Sequence, residues 1–134
     1  MNVKNPLRVL VVDDHEPFRK QVCGHLQQEG LEVICEASNG LEAVQHAEER
    51  QPDLVILDVT MPTLGGIEAA ARIRRVAPKA LIVFLSQHDS TALSNAALAT
   101  GAQGYVLKSE AFKDLVPAIN AVVRGEKFVS KLGR

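Results

Sequence analysis

The chain has 134 residues, a formal net charge of −1 at pH 7, and 46% hydrophobic against 23% charged residues. That balance is globular and excludes disordered, collagenous and coiled-coil classes, and the near-neutral charge argues against a nucleic-acid or membrane-surface protein. No apolar run approaches the ~20 residues of a membrane span, Met1–Pro6 has no signal-peptide apolar region, and Cys23 and Cys35 form neither a metal spacing nor a disulfide framework, so a reducing, cytoplasmic setting is expected.

In chain order, short runs rich in Val, Ile and Leu predict buried strands at Arg8–Val12, Leu31–Ala37, Leu54–Asp58, Leu81–Ser86 and Gly104–Leu107. Helical spacing lies between and after them. Phe18, Val22 and Leu26 step by four; Leu93, Ala96, Ala97 and Thr100 follow the i, i+3, i+4, i+7 rule; Leu115, Ile119 and Val122 repeat it near the end. Pro17 can open the first helix and Gly30 can close it. Asn39 with Glu42 resembles a capping box. Pro52 and Pro78 follow the second and third helices, and Gly101 and Gly125 the fourth and fifth. Pro117 falls inside the fifth helical pattern and predicts a late helix start or a mild kink. Five strand–helix pairs make a doubly wound α/β domain with a five-stranded parallel sheet.

In such sheets the ligand sits beyond the carboxyl ends of the strands, where the strand order reverses. Those ends are chemically loaded here. The first strand ends in Asp13-Asp14-His15-Glu16, the third in Asp58-Val59-Thr60-Met61-Pro62, the fourth in Ser86 and the fifth in Lys108-Ser109. If the first and third strands are neighbours, Asp13, Asp14 and Asp58 converge. Three close carboxylates need a cation or must take up protons, and a hard divalent ion, Mg2+ above all, suits oxygen ligands. Lys108 adds fixed positive charge and Ser86 a hydroxyl. The set suits phosphoryl transfer to a carboxylate nucleophile.

These motifs in order, with Gly65-Gly66 and Gly104-Tyr105-Val106-Leu107-Lys108-Ser109, resemble the receiver domain of a two-component response regulator. The resemblance runs from about Leu7 to Phe128. It implies the flavodoxin-like strand order 2-1-3-4-5, a receiver domain over 7–128 between an N-terminal tail at 1–6 and a C-terminal tail at 129–134. It implies that Asp58 accepts phosphate from a phosphohistidine on a sensor histidine kinase or phosphotransfer protein. Asp14 and Asp58 would bind Mg2+ (or Mn2+) directly with the backbone carbonyl of Thr60, and Asp13 mainly through a metal-bound water. Lys108 would pair with Asp58 and then with phosphoryl oxygens. Ser86 would move to bond the phosphoryl group and Tyr105 would turn inward, altering the face of the fourth and fifth helices and fifth strand. Thr60 and His88 would set the lifetime of the phosphoryl group through attacking water. His15 after the acid pair, the run Gly104–Ser109 and the run Arg124–Ser130 resemble the NarL/LuxR-type transcriptional regulators, whose DNA contact comes from a C-terminal helix-turn-helix domain. Lys131–Arg134 falls where the linker to that domain would start, so the chain is expected to be a receiver separated from its effector half, or else a stand-alone one. A homodimer on phosphorylation is expected, through the first and fifth helices or through the fourth helix, fifth strand and fifth helix.

Several residues depart from the commoner pattern or carry a plainer reading. Ser109 stands where many receivers have proline and is expected to cap the fifth helix. Gln87 stands where a small residue is common and narrows the approach to the site. Asp13 and Asp14 taken alone would be turn and cap residues, Lys108 a solvated lysine, and Tyr105 a packed ring. His15 reads as surface or cap, His25 and His46 as helix-face residues, Cys23 and Cys35 as part-buried thiols, and Arg72, Arg74 and Arg75 as a solvated face. An aspartyl phosphatase is the enzymatic alternative, but that class wants a second Asp where Thr60 stands. A flavin module would need a hydroxyl-rich phosphate loop in place of Asp13–Glu16, and no P-loop pattern occurs. A pseudo-receiver used only for protein interaction is the alternative of another class. The expected role is a switch that catalyses its own phosphotransfer and hydrolysis, not a metabolic enzyme.

Overall fold

The computed structural model describes residues 6–132. Residues 1–5 and 133–134, the outer parts of the two expected tails, lie outside the described residues. The elements are β1 Arg8–Val12, α1 Glu16–Gln28, β2 Glu32–Ala37, α2 Gly40–Arg50, β3 Leu54–Asp58, α3 Gly66–Val76, β4 Leu81–Ser86, α4 Thr91–Leu98, β5 Gly104–Leu107, α5 Ala111–Val123 and β6 Phe128–Val129. A single 3-10 turn, Lys108–Glu110, joins β5 to α5.

All strands are parallel and the sheet order is β2-β1-β3-β4-β5-β6. The expected five-stranded sheet is therefore corrected to six strands. A two-residue strand has no periodicity to read. What makes it is the outer edge of β5, whose backbone groups need partners. Phe128 N–H donates to Gln103 O (3.1 Å), Ser130 N–H donates to Tyr105 O (2.8 Å), and Leu107 N–H donates to Ser130 Oγ (3.1 Å). Gly125, at φ +88°, turns the chain back from α5 toward this edge.

Both faces of the sheet are apolar, which is why the strands read as continuous hydrophobic runs. Leu10, Val12, Val55, Leu57, Ile82, Phe84 and Tyr105 point to the side covered by α2, α3 and α4. Val9, Val11, Leu54, Ile56, Val83, Leu85 and Val106 point to the side covered by α1 and α5. Cys23 belongs to the second side and Cys35 packs against the first, so the sheet separates the two free thiols.

The helix ends follow the capping residues. His15 caps α1, its Nδ1 accepting from Phe18 N–H at 3.3 Å, with Pro17 in the first turn. Asn39 caps α2 by accepting from Glu42 N–H at 2.9 Å. Glu42 reaches back to Ser38 N–H (2.9 Å) and not to the cap itself, a one-residue shift of the capping box. Ser90 caps α4. At α5 the expected cap is absent, and of the late start or mild kink expected at Pro117 the late start is not seen. The cap is Glu110, without a side-chain hydrogen bond, and Ser109 lies exposed in the 3-10 turn. The helix begins at Ala111 and runs through Pro117. Pro117 is exposed, so its ring costs a backbone hydrogen bond without disturbing the buried stripe of Leu115, Ala118, Ile119 and Val122.

Ser130 is 2% exposed, and its hydroxyl also donates to Asp114 Oδ2 at 2.8 Å. Ser130→Ala leaves the buried Leu107 N–H without its acceptor and is expected to cost about 1–3 kcal/mol in urea unfolding. Ser109→Ala, on the exposed side of the same turn, is expected to stay within about 0.5 kcal/mol of the parent. Equal effects would contradict this account of the sheet edge.

Candidate functional site

Strand register assembles the site. Val12 pairs with Leu57, so the residues that follow them, Asp13 and Asp58, leave the sheet side by side. Asp58 pairs with Leu85, which sets Ser86 one residue farther out on β4. Ser86 pairs with Leu107, which sets Lys108 one residue farther out on β5. β1 lies between β2 and β3, so the strand order reverses at this crevice.

One carboxylate oxygen from each of Asp13, Asp14 and Asp58 lies within 4.8 Å of the others. Asp13 and Asp58 are buried and Asp14 is exposed. Lys108 Nζ sits 2.8 Å from Asp13 Oδ2 and 3.2 Å from Asp58 Oδ2. The approach to Asp58 is a hydrogen bond, whereas Asp13 Oδ2 has the ammonium's charge beside it without hydrogen-bond geometry. Asp13 Oδ1 accepts from His15 N–H at 2.9 Å, and Asp58 Oδ1 accepts weakly from Thr60 N–H at 3.4 Å. A crevice of about 440 Å³ opens onto this cluster between Asp14, His15, Phe18, Thr60, Gln87 and Lys108. Lys108 Nζ lies 5.2 Å from the centre of the Phe18 ring, which covers the lysine on its α1 side.

Burial, together with the neighbouring Asp13, pushes the Asp58 carboxyl up to about 6, against the pull of Lys108. Burial works against the Lys108 ammonium as well, but Asp13 and Asp58 outweigh it and hold its pKa above the ordinary lysine value. At an effective dielectric of ~20, two carboxylate charges within 4.8 Å of each other repel by about 3 kcal/mol or more. Three such carboxylates share a single lysine, so the crevice is short of positive charge. Among the described residues this is the acidic cluster able to hold a metal ion. The orphaned, buried Asp13 Oδ2 and the all-oxygen donor set fit a hard divalent cation.

A second layer ties the crevice to the sheet. Ser86 is fully buried, and its Oγ accepts from His88 N–H at 2.9 Å. Thr60 Oγ1 and His88 Nε2 lie 3.1 Å apart, a hydrogen bond that spans the β3 and β4 loops. Tyr105 is fully buried, and its hydroxyl donates to His88 O at 2.8 Å. Burial raises its phenol, with Ser86 as a hydrogen-bonding neighbour pulling the other way. The ring is thus already inward, not waiting to turn. Gly66, the first residue of α3, lies under the backbone of Asp58 and Val59. A Cβ there would collide with the Asp58 carbonyl oxygen and come within 2.9 Å of Val59 Cα. That close approach explains Gly66; at Gly65 a Cβ would meet only Val59 O at 3.6 Å.

Of the expected site residues, Asp13, Asp14, Asp58, Thr60 and Lys108 meet at the crevice, Ser86 lies buried behind it, and Tyr105 lies in the core with its hydroxyl on His88 O. Arg19 escaped the sequence reading. Its side chain is 12% exposed, and its Nη1 donates to the Asp13 carbonyl oxygen at 2.8 Å. The signal was an arginine one turn into an otherwise amphipathic helix, which reads as surface charge.

Residues 9–120 match the sequence profile of the response regulator receiver domain. The chain belongs to this family. It is 42% identical over 120 residues to the transcriptional regulatory protein PdtaR of Mycobacterium tuberculosis, which covers 88% of this chain and 57% of the relative. It is 35% identical to the response regulator GacA of Pseudomonas viridiflava, covering 92% of this chain and 58% of that protein. The chain thus spans a little over half the length of these relatives. Among solved structures it resembles a LuxR-family two-component response regulator from Aurantimonas sp. SI85-9A1. There the TM-score is 0.89 at 35% identity, over 94% of this chain and 91% of that one. It also resembles the receiver domain of NarL from Mycobacterium tuberculosis, with a TM-score of 0.85 at 32% identity, over 91% and 99% of the two chains.

The raised Asp58 has a consequence for stability without metal. Its folded value, about 6, exceeds the ordinary 3.8, so the folded state holds the proton more tightly. The metal-free protein therefore loses stability as pH rises from about 4 to about 6. Asp58→Asn removes that loss and is expected to raise stability at pH 7 by about 1–2 kcal/mol. The gain is reduced because Lys108 keeps only Asp13 as an ionic partner. Urea unfolding at pH 4 and pH 7, in chelator, checks it. A variant no more stable than the parent at pH 7 would contradict the assignment.

Proposed function

We propose that the chain is a phosphorylation switch in which Asp58 is the phosphoacceptor. The convergence of Asp58 with Asp13, Asp14 and Lys108 in one crevice carries the reading. An oxygen of the Asp58 carboxylate attacks the phosphorus of a phosphohistidine on a sensor kinase or phosphotransfer protein. The P–N bond breaks, the imidazole leaves with the electron pair, and an acyl phosphate forms on Asp58. Asp14 and Asp58 with the Thr60 carbonyl would hold Mg2+ (or Mn2+) directly, and Asp13 through a water. The ion, when bound, neutralises phosphoryl oxygens and favours the ionised carboxylate. Lys108 passes from Asp58 to a phosphoryl oxygen. Ser86 gives up the His88 N–H and turns its hydroxyl to the phosphoryl group.

The receiver unit is assigned to 7–128 and its setting to the cytoplasm; among the described residues no helix is long and apolar enough to cross a membrane. The catalysis assigned to it is limited to its own phosphotransfer and hydrolysis. Output passes to transcription through a DNA-binding domain, as the names of the relatives suggest. Phe112, half exposed on α5, stacks edge-on with Phe18 and His25 of α1. That exposed aromatic cluster favours the α1–α5 face for homodimerisation.

Intact mass after incubation with acetyl phosphate tests the assignment. One phosphoryl group is expected with Mg2+ and none in chelator or in Asp58→Asn. A gain that survives Asp58→Asn would overturn it. Thr60, which lines the crevice, is bonded to His88 at 3.1 Å, and the pair is assigned control of the attacking water. Thr60→Ala and His88→Ala are accordingly expected to shorten the decay of that added mass, and unchanged decay in both would dismiss that role.

A further inference from the structure

The backbone of Asp13 is held on both sides of its Cα. Asp13 N–H donates to Ala37 O of β2 at 3.1 Å. The Asp13 carbonyl accepts from Arg19 Nη1 at 2.8 Å, while Arg19 Nε donates to Glu36 Oε1 at 2.8 Å. Lys20 Nζ holds the other oxygen of Glu36 at 2.9 Å. The carbonyl of Asp13 and the N–H of Asp14 share one rigid plane. With the peptide planes before and after Asp13 both held, φ and ψ of Asp13 are set, and with them the direction in which its side chain leaves the chain and the position from which Asp14 starts. Asp14 needs this most, because its carboxylate is exposed and packing does not aim it.

We propose that Arg19 is a positioning residue for the divalent cation, pinning the Asp13–Asp14 peptide to β2 so that both carboxylates face Asp58. The proposal rests on the reading of the crevice given above and adds a residue that never touches the ion. Its sign is diagnostic. A guanidinium beside an acidic cluster repels a cation, so if Arg19 acted through charge alone, its removal would tighten cation binding. Loss of a positioning contact weakens binding instead, typically by 10- to 100-fold for groups behind the ligands. Lysine is a poor substitute, because its single nitrogen lacks the planar fork that directs separate N–H groups at the Asp13 carbonyl and Glu36.

The test is a Mn2+ titration of the unphosphorylated protein, with free ion read by electron paramagnetic resonance. The parent is expected to bind one ion. Arg19→Ala is expected to bind about 10-fold more weakly or worse, Arg19→Lys more weakly than the parent, and Lys20→Ala like the parent. Circular dichroism reports folding, and Arg19→Lys, with its charge and most of its stem, carries the test if Arg19→Ala unfolds. Affinity that is unchanged or tighter in Arg19→Ala, or parental in Arg19→Lys, would overturn the role of Arg19 and leave the crevice assignment standing. Failure of the parent to bind Mn2+ would overturn both.

Discussion

Two buried carboxylates, Asp13 and Asp58, leave adjacent strands side by side with one lysine between them. The rest of the molecule can be understood as the apparatus that forces them together. Parallel pairing of β1 with β3 sets their spacing. The apolar layers on both faces of the sheet keep water from them. Gly66 lets α3 start directly beneath Asp58, and Arg19 and Ala37 hold the Asp13 peptide from the other side. Two like charges in such a place are unstable without a counterion. A cation would relieve that deficit by supplying charge.

The same crevice is wired to the far edge of the sheet. Ser86, His88 and Tyr105 form a chain of hydrogen bonds from the end of β4 into the core under β5. β5 in turn is bound through Tyr105 O and Leu107 N–H to Ser130. Ser86 is thus linked through His88 and Tyr105 to the strand that Ser130 holds. Tyr105 is already buried in this state, so any switch must repack an inward ring and its neighbours.

Strands and site acids were legible because their signals are local and dense. Unbroken Val-Leu-Ile runs marked strands buried on both faces, with only Leu31 falling outside its predicted strand. Acidic residues immediately after such runs marked the crevice. What escaped depended on partners distant in sequence. β6 exists because β5 offers unpaired backbone groups, and two residues carry no pattern that announces this. Ser109 looked like a cap because serine often is one, yet the chain chose a 3-10 turn there and put the buried hydroxyl at Ser130. Pro117 argued for a late start to α5, but burial of the stripe around it outweighs one missing hydrogen bond. Arg19 carries no pattern of its own, because its partners are the Asp13 carbonyl just past β1 and Glu36 on β2.

The central claim is that the crevice lacks positive charge and that a divalent cation relieves it. Urea unfolding at pH 7 over increasing Mg2+ measures this most directly. The account predicts that stability rises with Mg2+ along the curve for one ion bound only by the folded state, and that the rise vanishes when Asp14 is replaced by Asn. Stability independent of Mg2+, or an equal rise in the Asp14→Asn protein, would contradict it.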